Sequence, residues 1–276
     1  AYEIMPSLVG SEMCIRDRAR SIVITSGKGG VGKTTSAINL AAGFNKFGKN
    51  VIVVDANFTT PNIGLHFGAP LVPVSITHVL AGRGELRDAL YEHYSGVKVI
   101  PASLSLPKNI KPEKFYEISK KIKKFGDIII LDSAAGLGKE AVIAIKSADD
   151  VLIVTQAELP ALTDALKTIK LAQKLDKNIK GVILTRFKNS VHELSLENIE
   201  SMLEIPIIEI IPEDEAVKES LRLKDAVIHT HPKSEASKAY VRLAAKILGP
   251  KYIKQVERDE RKNIFYYFLE RIGLVD

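Results

Sequence analysis

Cysteine is almost missing from this chain of 276 residues: Cys14 is the only one. It falls in the opening stretch AYEIMPSLVGSEMCIRDR, residues 1–18, which has no helical or strand period and no apolar segment of a secretory leader. That string resembles translated sequencing-adapter sequence. It is read as a non-native segment, with a disordered native extension as the alternative. From about Ala19 onward no cysteine remains. Disulfides, thiolate metal sites and cysteine nucleophiles are excluded there together, which fits a cytoplasmic protein.

Other absences narrow the class further. No apolar run reaches the ~18 residues that a membrane span needs. The net charge of +6 is dispersed, with only short clusters such as Lys120-Lys121 and Lys123-Lys124. These read as solvated helix faces. There is no internal repeat and no low-complexity segment. The histidines (His66, His78, His93, His192, His229 and His231) show no metal-ligand spacing with carboxylates. His229-Thr-His231-Pro is expected to be a surface loop. With 46 % hydrophobic and 26 % charged residues, the composition is that of an ordinary globular protein.

What is present is an alternation of strands and helices. SIVITS (Ser21–Ser26), NVIVVD (Asn50–Asp55), DIIILD (Asp127–Asp132), Asp150–Thr155, Lys180–Thr185 and Ile207–Ile211 are apolar, β-branched runs. Helical spacing is expected at Thr34–Phe47, Pro112–Phe125, Leu137–Ser147, Pro160–Leu175, Glu193–Leu203, near Glu213–Leu221 and at Ser234–Leu248. Unbroken apolar strands between helices predict a mostly parallel sheet covered on both faces. Ligands of such sheets bind at the carboxyl ends of the strands. Asp55, Asp132 and Thr185 fall at such ends. One domain over residues 19–249 accounts for the pattern, and Gly249-Pro250 separates it from a tail at 250–276.

One motif ties this sheet to chemistry. Gly27, Gly32, Lys33 and Thr34 satisfy G-x-x-x-x-G-K-[ST], directly after a strand and at the start of a helix. The expected fold class is therefore α/β, a three-layer P-loop NTPase with a doubly wound central sheet. Gly27, Lys28, Gly29, Gly30, Val31, Gly32, Lys33, Thr34 and Thr35 form the expected phosphate cradle. Lys33 is expected to reach the β- and γ-phosphates, and Thr34 with Asp132 to hold Mg²⁺. An aspartate at this place could also be a plain cap on a strand end.

The surrounding string K-G-G-V-G-K-T-T contains a second lysine, Lys28. It resembles the deviant Walker A motif of the MinD/ParA family of dimerising ATPases. Further resemblances extend over most of the chain. Asp55-Ala-Asn57 with Asn62 is similar to the family's first switch, and Asp132-Ser-Ala-Ala135-Gly136 to its Walker B and second switch. Thr185-Arg186 stands where the family has an Asn-Arg pair. Ile211-Pro212-Glu213-Asp214 and the region from Ala239-Tyr240 to Leu248-Gly249 resemble MinD-type sequences.

The resemblance implies roles. Lys28 would cross a two-fold interface to the partner's phosphates, whereas an isolated lysine at a loop edge would simply be solvated. Asp55 would orient the attacking water, with structural bonding to the loop as the alternative. Asn62 would support the site across the dimer, although a lone asparagine more often forms a turn. Thr185, Arg186, Pro212, Glu213 and Asp214 would border the adenine of ATP. Two departures stand out: Asn57 replaces the second switch aspartate, and Thr185 replaces the base-reading asparagine.

The tail stretch NIFYYFLERIGLV, Asn263–Val275, places Ile264, Phe265, Phe268, Leu269 and Ile272 on one helical face. It resembles the membrane-targeting amphipathic helix of MinD proteins. A helix packed on its own domain or on a neighbouring subunit is the alternative. The expectation is a MinD-like ATPase, cytoplasmic and peripheral at the membrane, that dimerises with ATP, meets an unidentified activator or effector, and positions the division site or another structure. A ParA-like DNA-partition ATPase and a nucleotide-dependent scaffold with little turnover are the alternatives. Cluster carriers and the nitrogenase iron protein need cysteines, so their chemistry is disfavoured here.

Overall fold

Continuous apolar runs become the central strands, because only a strand covered on both faces can hide every side chain. The structure, a computed structural model, describes residues 19–105, 110–188, 190 and 193–271, with side chains as far as residue 261. In chain order it contains β1 (Arg20–Thr25), α1 (Lys33–Lys46), β2 (Val51–Ala56), α2 (Ile63–His66), α3 (Ile76–Leu80), β3 (Tyr91–Glu92) and β4 (Lys98–Ile100). A 3₁₀ turn (Pro112–Lys114) runs into α4 (Phe115–Ile122), followed by β5 (Ile128–Ser133), α5 (Lys139–Ser147), β6 (Asp150–Thr155), α6 (Leu159–Lys174) and β7 (Asn178–Phe187). Then come α7 (Leu196–Leu203), β8 (Ile207–Pro212), α8 (Glu215–Arg222), α9 (Val227–Thr230), α10 (Glu235–Leu248) and α11 (Pro250–Arg271).

These strands form one sheet in the order β3-β4-β2-β5-β1-β6-β7-β8, parallel except for the short β3 at its edge. The expected α/β class with a doubly wound sheet is what the chain adopts. Alternation along each strand divides the core into two layers. In β1, Ile22 and Ile24 join α1 and α10, while Val23 joins the layer with α4, α5 and α6. In β2, Val51 and Val53 face the first layer, Ile52 and Val54 the second.

Register matters most where β2 meets β5. Asp55 pairs with Asp132 across that parallel ladder. Laterally paired residues of neighbouring strands share a face. The two carboxylates therefore stand side by side at the carboxyl end of the sheet, and Asp132 also lies beside Ile24 of β1, just before the glycine loop.

Some short elements carry too few residues for a period to be seen: α2, α3, β3 and α9. The His229–Pro232 segment departs from the expected surface loop. His229 belongs to α9, and its Nδ1 lies 2.9 Å from Oδ1 of the buried Asp225. Tyr94 donates to the other oxygen of Asp225 at 2.8 Å. His192 lies outside the described residues. Among the described residues, no group of histidine and acidic side chains has metal-binding geometry.

At Gly249-Pro250, α10 stops and α11 starts. The first turns of α11 pack on the α/β layers: Tyr252 and Ile253 touch the α1–α10 core, and Tyr252 meets Phe47 edge-on at 5.4 Å. The side chains of the apolar face expected at 264–272, and the whole of residues 1–18, lie outside the described part. No helix among the described residues is long and apolar enough to cross a membrane.

Candidate active site

Between β1 and α1 the chain makes the glycine loop. Gly32 caps α1 in the left-handed region, at φ 95°, where a Cβ is strained. Gly27 lies against α6 so closely that a Cβ would sit 2.2 Å from the carbonyl oxygen of Asp164. The sequence thus lets the loop nest between two helices. None of the backbone N–H groups from Gly29 through Thr35 donates to another described residue. Free donors at a helix N-terminus, where the macrodipole adds positive potential, make an anion site.

At the loop's inner end the charged groups converge. Thr34 Oγ1 donates to Asp132 Oδ2 at 2.6 Å. Asp132 is 1 % exposed, and its other oxygen meets no donor among the described residues. Burial pushes its carboxyl up, against the pull of the Thr34 hydrogen bond and the Lys33 charge. Lys33 is itself 9 % exposed; burial lowers its pKa, and Asp132 opposes that shift. A buried carboxylate oxygen left without a partner, beside a threonine hydroxyl and an anion cradle, is a hard oxygen donor set. It fits Mg²⁺, which takes few protein oxygens and completes its shell with phosphate and water.

Asp55 does different work from Asp132. It is fully buried, and its carboxylate accepts three backbone N–H bonds: from Asn57 at 3.1 Å, Asn62 at 3.0 Å and Ile63 at 3.1 Å. Burial and the neighbouring Asp132 charge raise its pKa, and the three donors work against them. Asp55 thereby holds the loop between β2 and α2. Asn57 closes the same loop. Its Nδ2 donates to the Thr60 carbonyl, and its Oδ1 accepts from Thr60 N at 3.2 Å and Thr60 Oγ1 at 3.0 Å. An aspartate could not make the first of these bonds. Asn62, exposed at the start of α2, donates Nδ2 to the same Thr60 carbonyl at 3.0 Å.

Lys28 is not drawn into this cluster. Its Nζ lies 3.7 Å from Glu158 Oε2, with the two side chains 43 % and 62 % exposed. An exposed pair of this kind is worth ~0–1 kcal/mol, so little holds the lysine down.

One residue that motif reading missed connects the two strand-end loops. Glu140, in the first turn of α5, accepts from Phe58 N at 2.9 Å and Thr59 N at 3.3 Å on Oε2, and from the Thr59 hydroxyl on Oε1. The only sequence signal is an acidic residue at a helix N-terminus, which normally reads as a dipole contact.

The other flank of the loop is a cleft lined by Gly32, Thr35, Thr185, Arg186, Ile211, Pro212, Glu213, Asp214, Val217, Lys218, Leu221 and Tyr240. The expected base-side residues are gathered there. Thr185 differs in its use: its hydroxyl lies 2.7 Å from the Val31 carbonyl and 3.1 Å from that of Thr155, so it ties β7 to the glycine loop. Arg186 is exposed and left-handed (φ 53°), at a register shift between β7 and β8. Tyr240 is buried, 3.3 Å from the Ser36 hydroxyl, and burial pushes its phenol up to about 12.

Asp214 is committed to the scaffold. Oδ1 accepts from Ala216 N at 2.9 Å, capping α8, and Oδ2 accepts from Ala236 N at 3.1 Å in the first turn of α10. Losing a helix cap costs roughly 0.5–2 kcal/mol, and a second charged hydrogen bond adds to it. Asp214→Ala is expected to destabilise the chain by about 2 kcal/mol, read as a lowered urea midpoint at unchanged slope.

Residues 22–227 match the CobQ/CobB/MinD/ParA nucleotide binding domain family. An uncharacterised ATP-binding protein of Methanocaldococcus jannaschii is 42 % identical over 248 residues, covering 89 % of this chain and 94 % of its own length. The septum site-determining protein MinD of Buchnera aphidicola is 32 % identical over 270 residues, covering 92 % and 98 %. Among solved structures, MinD of Pyrococcus horikoshii complexed with Mg-ADP superposes with a TM-score of 0.79 at 32 % identity, over 83 % of this chain and 95 % of that one.

Proposed function

The chain belongs to the CobQ/CobB/MinD/ParA nucleotide-binding domain family, and from that premise we propose that it is a Mg²⁺-dependent ATPase that dimerises on binding ATP. The observation that carries this reading is the grouping of Lys33, Thr34 and Asp132, with one Asp132 oxygen unpartnered, beneath a row of free backbone donors. The backbone N–H groups and Lys33 hold the phosphates. Thr34 and Asp132 hold Mg²⁺, which when bound neutralises charge on the phosphate oxygens. The cleft by Thr185, Arg186 and Pro212–Asp214 takes the base. Lys28, outside the cluster and weakly paired, reaches the nucleotide of a second copy in the manner of an arginine finger supplied in trans. Nucleotide shared by two subunits stabilises the dimer by linkage.

The cellular role that best suits this chemistry is MinD-like: reversible binding to a membrane through the C-terminal helix, positioning the division site or another structure with the help of an effector. One amphipathic helix binds a bilayer marginally, and two on one dimer gain ~10²–10⁴ by avidity. Liposome sedimentation tests it. Pelleting is expected with Mg²⁺ and ATP and not with ADP; equal pelleting in both, or after deletion of residues 263–276, contradicts the membrane role.

A second reading, a nucleotide-dependent scaffold with little turnover, draws on one observation. Asp55 and Asn57 both spend their side chains on the loop between β2 and α2. Phosphate release by the purified protein separates the two readings.

A further inference from the structure

We propose that Glu140 is a positioning residue that couples the loop after β2 to the segment after β5, so that the two sides of the phosphate site move as one; this rests on the ATPase reading above. The loop 57–62 is held from within by the Asn57–Thr60 turn and from β2 by Asp55. Neither attachment reaches the neighbouring strand. Among the described residues, Glu140 is the side chain whose hydrogen bonds cross: it follows Asp132 on the same stretch of chain, sits on the first turn of α5, and its carboxylate takes the Phe58 and Thr59 amides and the Thr59 hydroxyl.

The arrangement is selective. Gly138, the cap of α5, has no side chain to offer, yet the Glu140 carboxylate is spent on another loop rather than on its own helix end. Two amides and a hydroxyl from adjacent residues converge on one carboxylate, a grip that fixes the orientation of the loop as well as its distance. The latch pre-organises the site, and it would transmit displacement of the segment beyond Asp132 to Asn57 and Asn62. Glu140 touches neither the glycine loop nor the Thr34–Asp132 pair in any hydrogen bond among the described residues. Its loss should therefore spare ground-state nucleotide binding and lower turnover.

The test uses the full chain and two variants, Glu140→Ala and Glu140→Gln. Hydrogen–deuterium exchange of the nucleotide-free proteins reads the latch directly. The amides of Phe58 and Thr59 are expected to exchange at least ~10-fold faster in Glu140→Ala, and Glu140→Gln, which keeps one acceptor oxygen, to recover part of the protection. In steady state, kcat for phosphate release is expected to fall ~10-fold in Glu140→Ala while the Kd for ADP stays within about 2-fold, with Glu140→Gln in between. Unchanged exchange overturns the latch. So does unchanged kcat, or a loss of ADP affinity that matches the loss of kcat. A wild-type protein that binds no ATP or releases no phosphate defeats the ATPase reading instead, and the exchange comparison then still decides whether Glu140 holds the loop.

Discussion

Lys33→Ala is expected to lower phosphate release roughly 10²–10³-fold or more, the cost of removing one preorganised positive group from a phosphoryl-transfer site. The fold should survive it. Lys33 is a buried ammonium whose pKa burial lowers, with no salt-bridge partner among the described residues. Taking out a desolvated charge relieves the nucleotide-free protein, while Asp132 loses the one positive charge that offsets its own burial. These effects oppose each other, so thermal stability without nucleotide should change little. What should vanish is the stabilisation by ATP: the wild type gains RT ln(1 + [L]/Kd), and the variant gains almost nothing. A variant that is stabilised by ATP and turns over like the wild type would remove the proposed site.

Lys28→Ala should give the opposite pattern at the level of binding. Lys28 is exposed, and its salt-bridge partner among the described residues is the exposed Glu158 at 3.7 Å, so neither the fold nor single-subunit affinity for ADP is expected to depend on it. Folding stability is expected to change by less than ~1 kcal/mol. Turnover is expected to fall by ~10³-fold, the lower end of what a finger supplied in trans contributes. In the wild type, turnover per chain should rise with protein concentration, because the active unit is a pair. Activity in the variant should be restored by a subunit that carries Lys28 but cannot hold its own nucleotide. Normal turnover in Lys28→Ala would leave the lysine as the solvated loop-edge residue that its position alone implies.

Both lysines were readable because they are local. Lys28 and Lys33 belong to one loop, and the strand before it and the helix after it announce themselves by their apolar periods. The central strands were legible for the same reason: a strand buried on both faces needs an unbroken apolar run, as in Ile128–Leu131. Two such runs ending in aspartate put Asp55 and Asp132 at strand ends, and only the sheet order makes them neighbours.

Other roles depended on partners far away in the chain. Glu140 acts on residues 58 and 59, and no pattern of single residues encodes that contact. Asp214 stands in the segment that resembles a base-binding loop, but its two oxygens are used on α8 and α10. Thr185 holds the place of a base-reading asparagine and spends its hydroxyl on the glycine loop. Asn57 looked like the loss of a charge. It is the gain of a donor, used to close a turn on Thr60. In each case the residue type was legible and the partner was not, since hydrogen bonds between loops depend on register and strand order.

The central claim is that ATP belongs to two copies of this chain. Sedimentation equilibrium of the wild type tests it most directly, with Mg²⁺ and either ADP or a non-hydrolysable ATP analogue. The account predicts the mass of one 30.3 kDa chain with ADP and twice that mass with the analogue, and no shift for Lys28→Ala. One mass for the wild type in both nucleotides would contradict it.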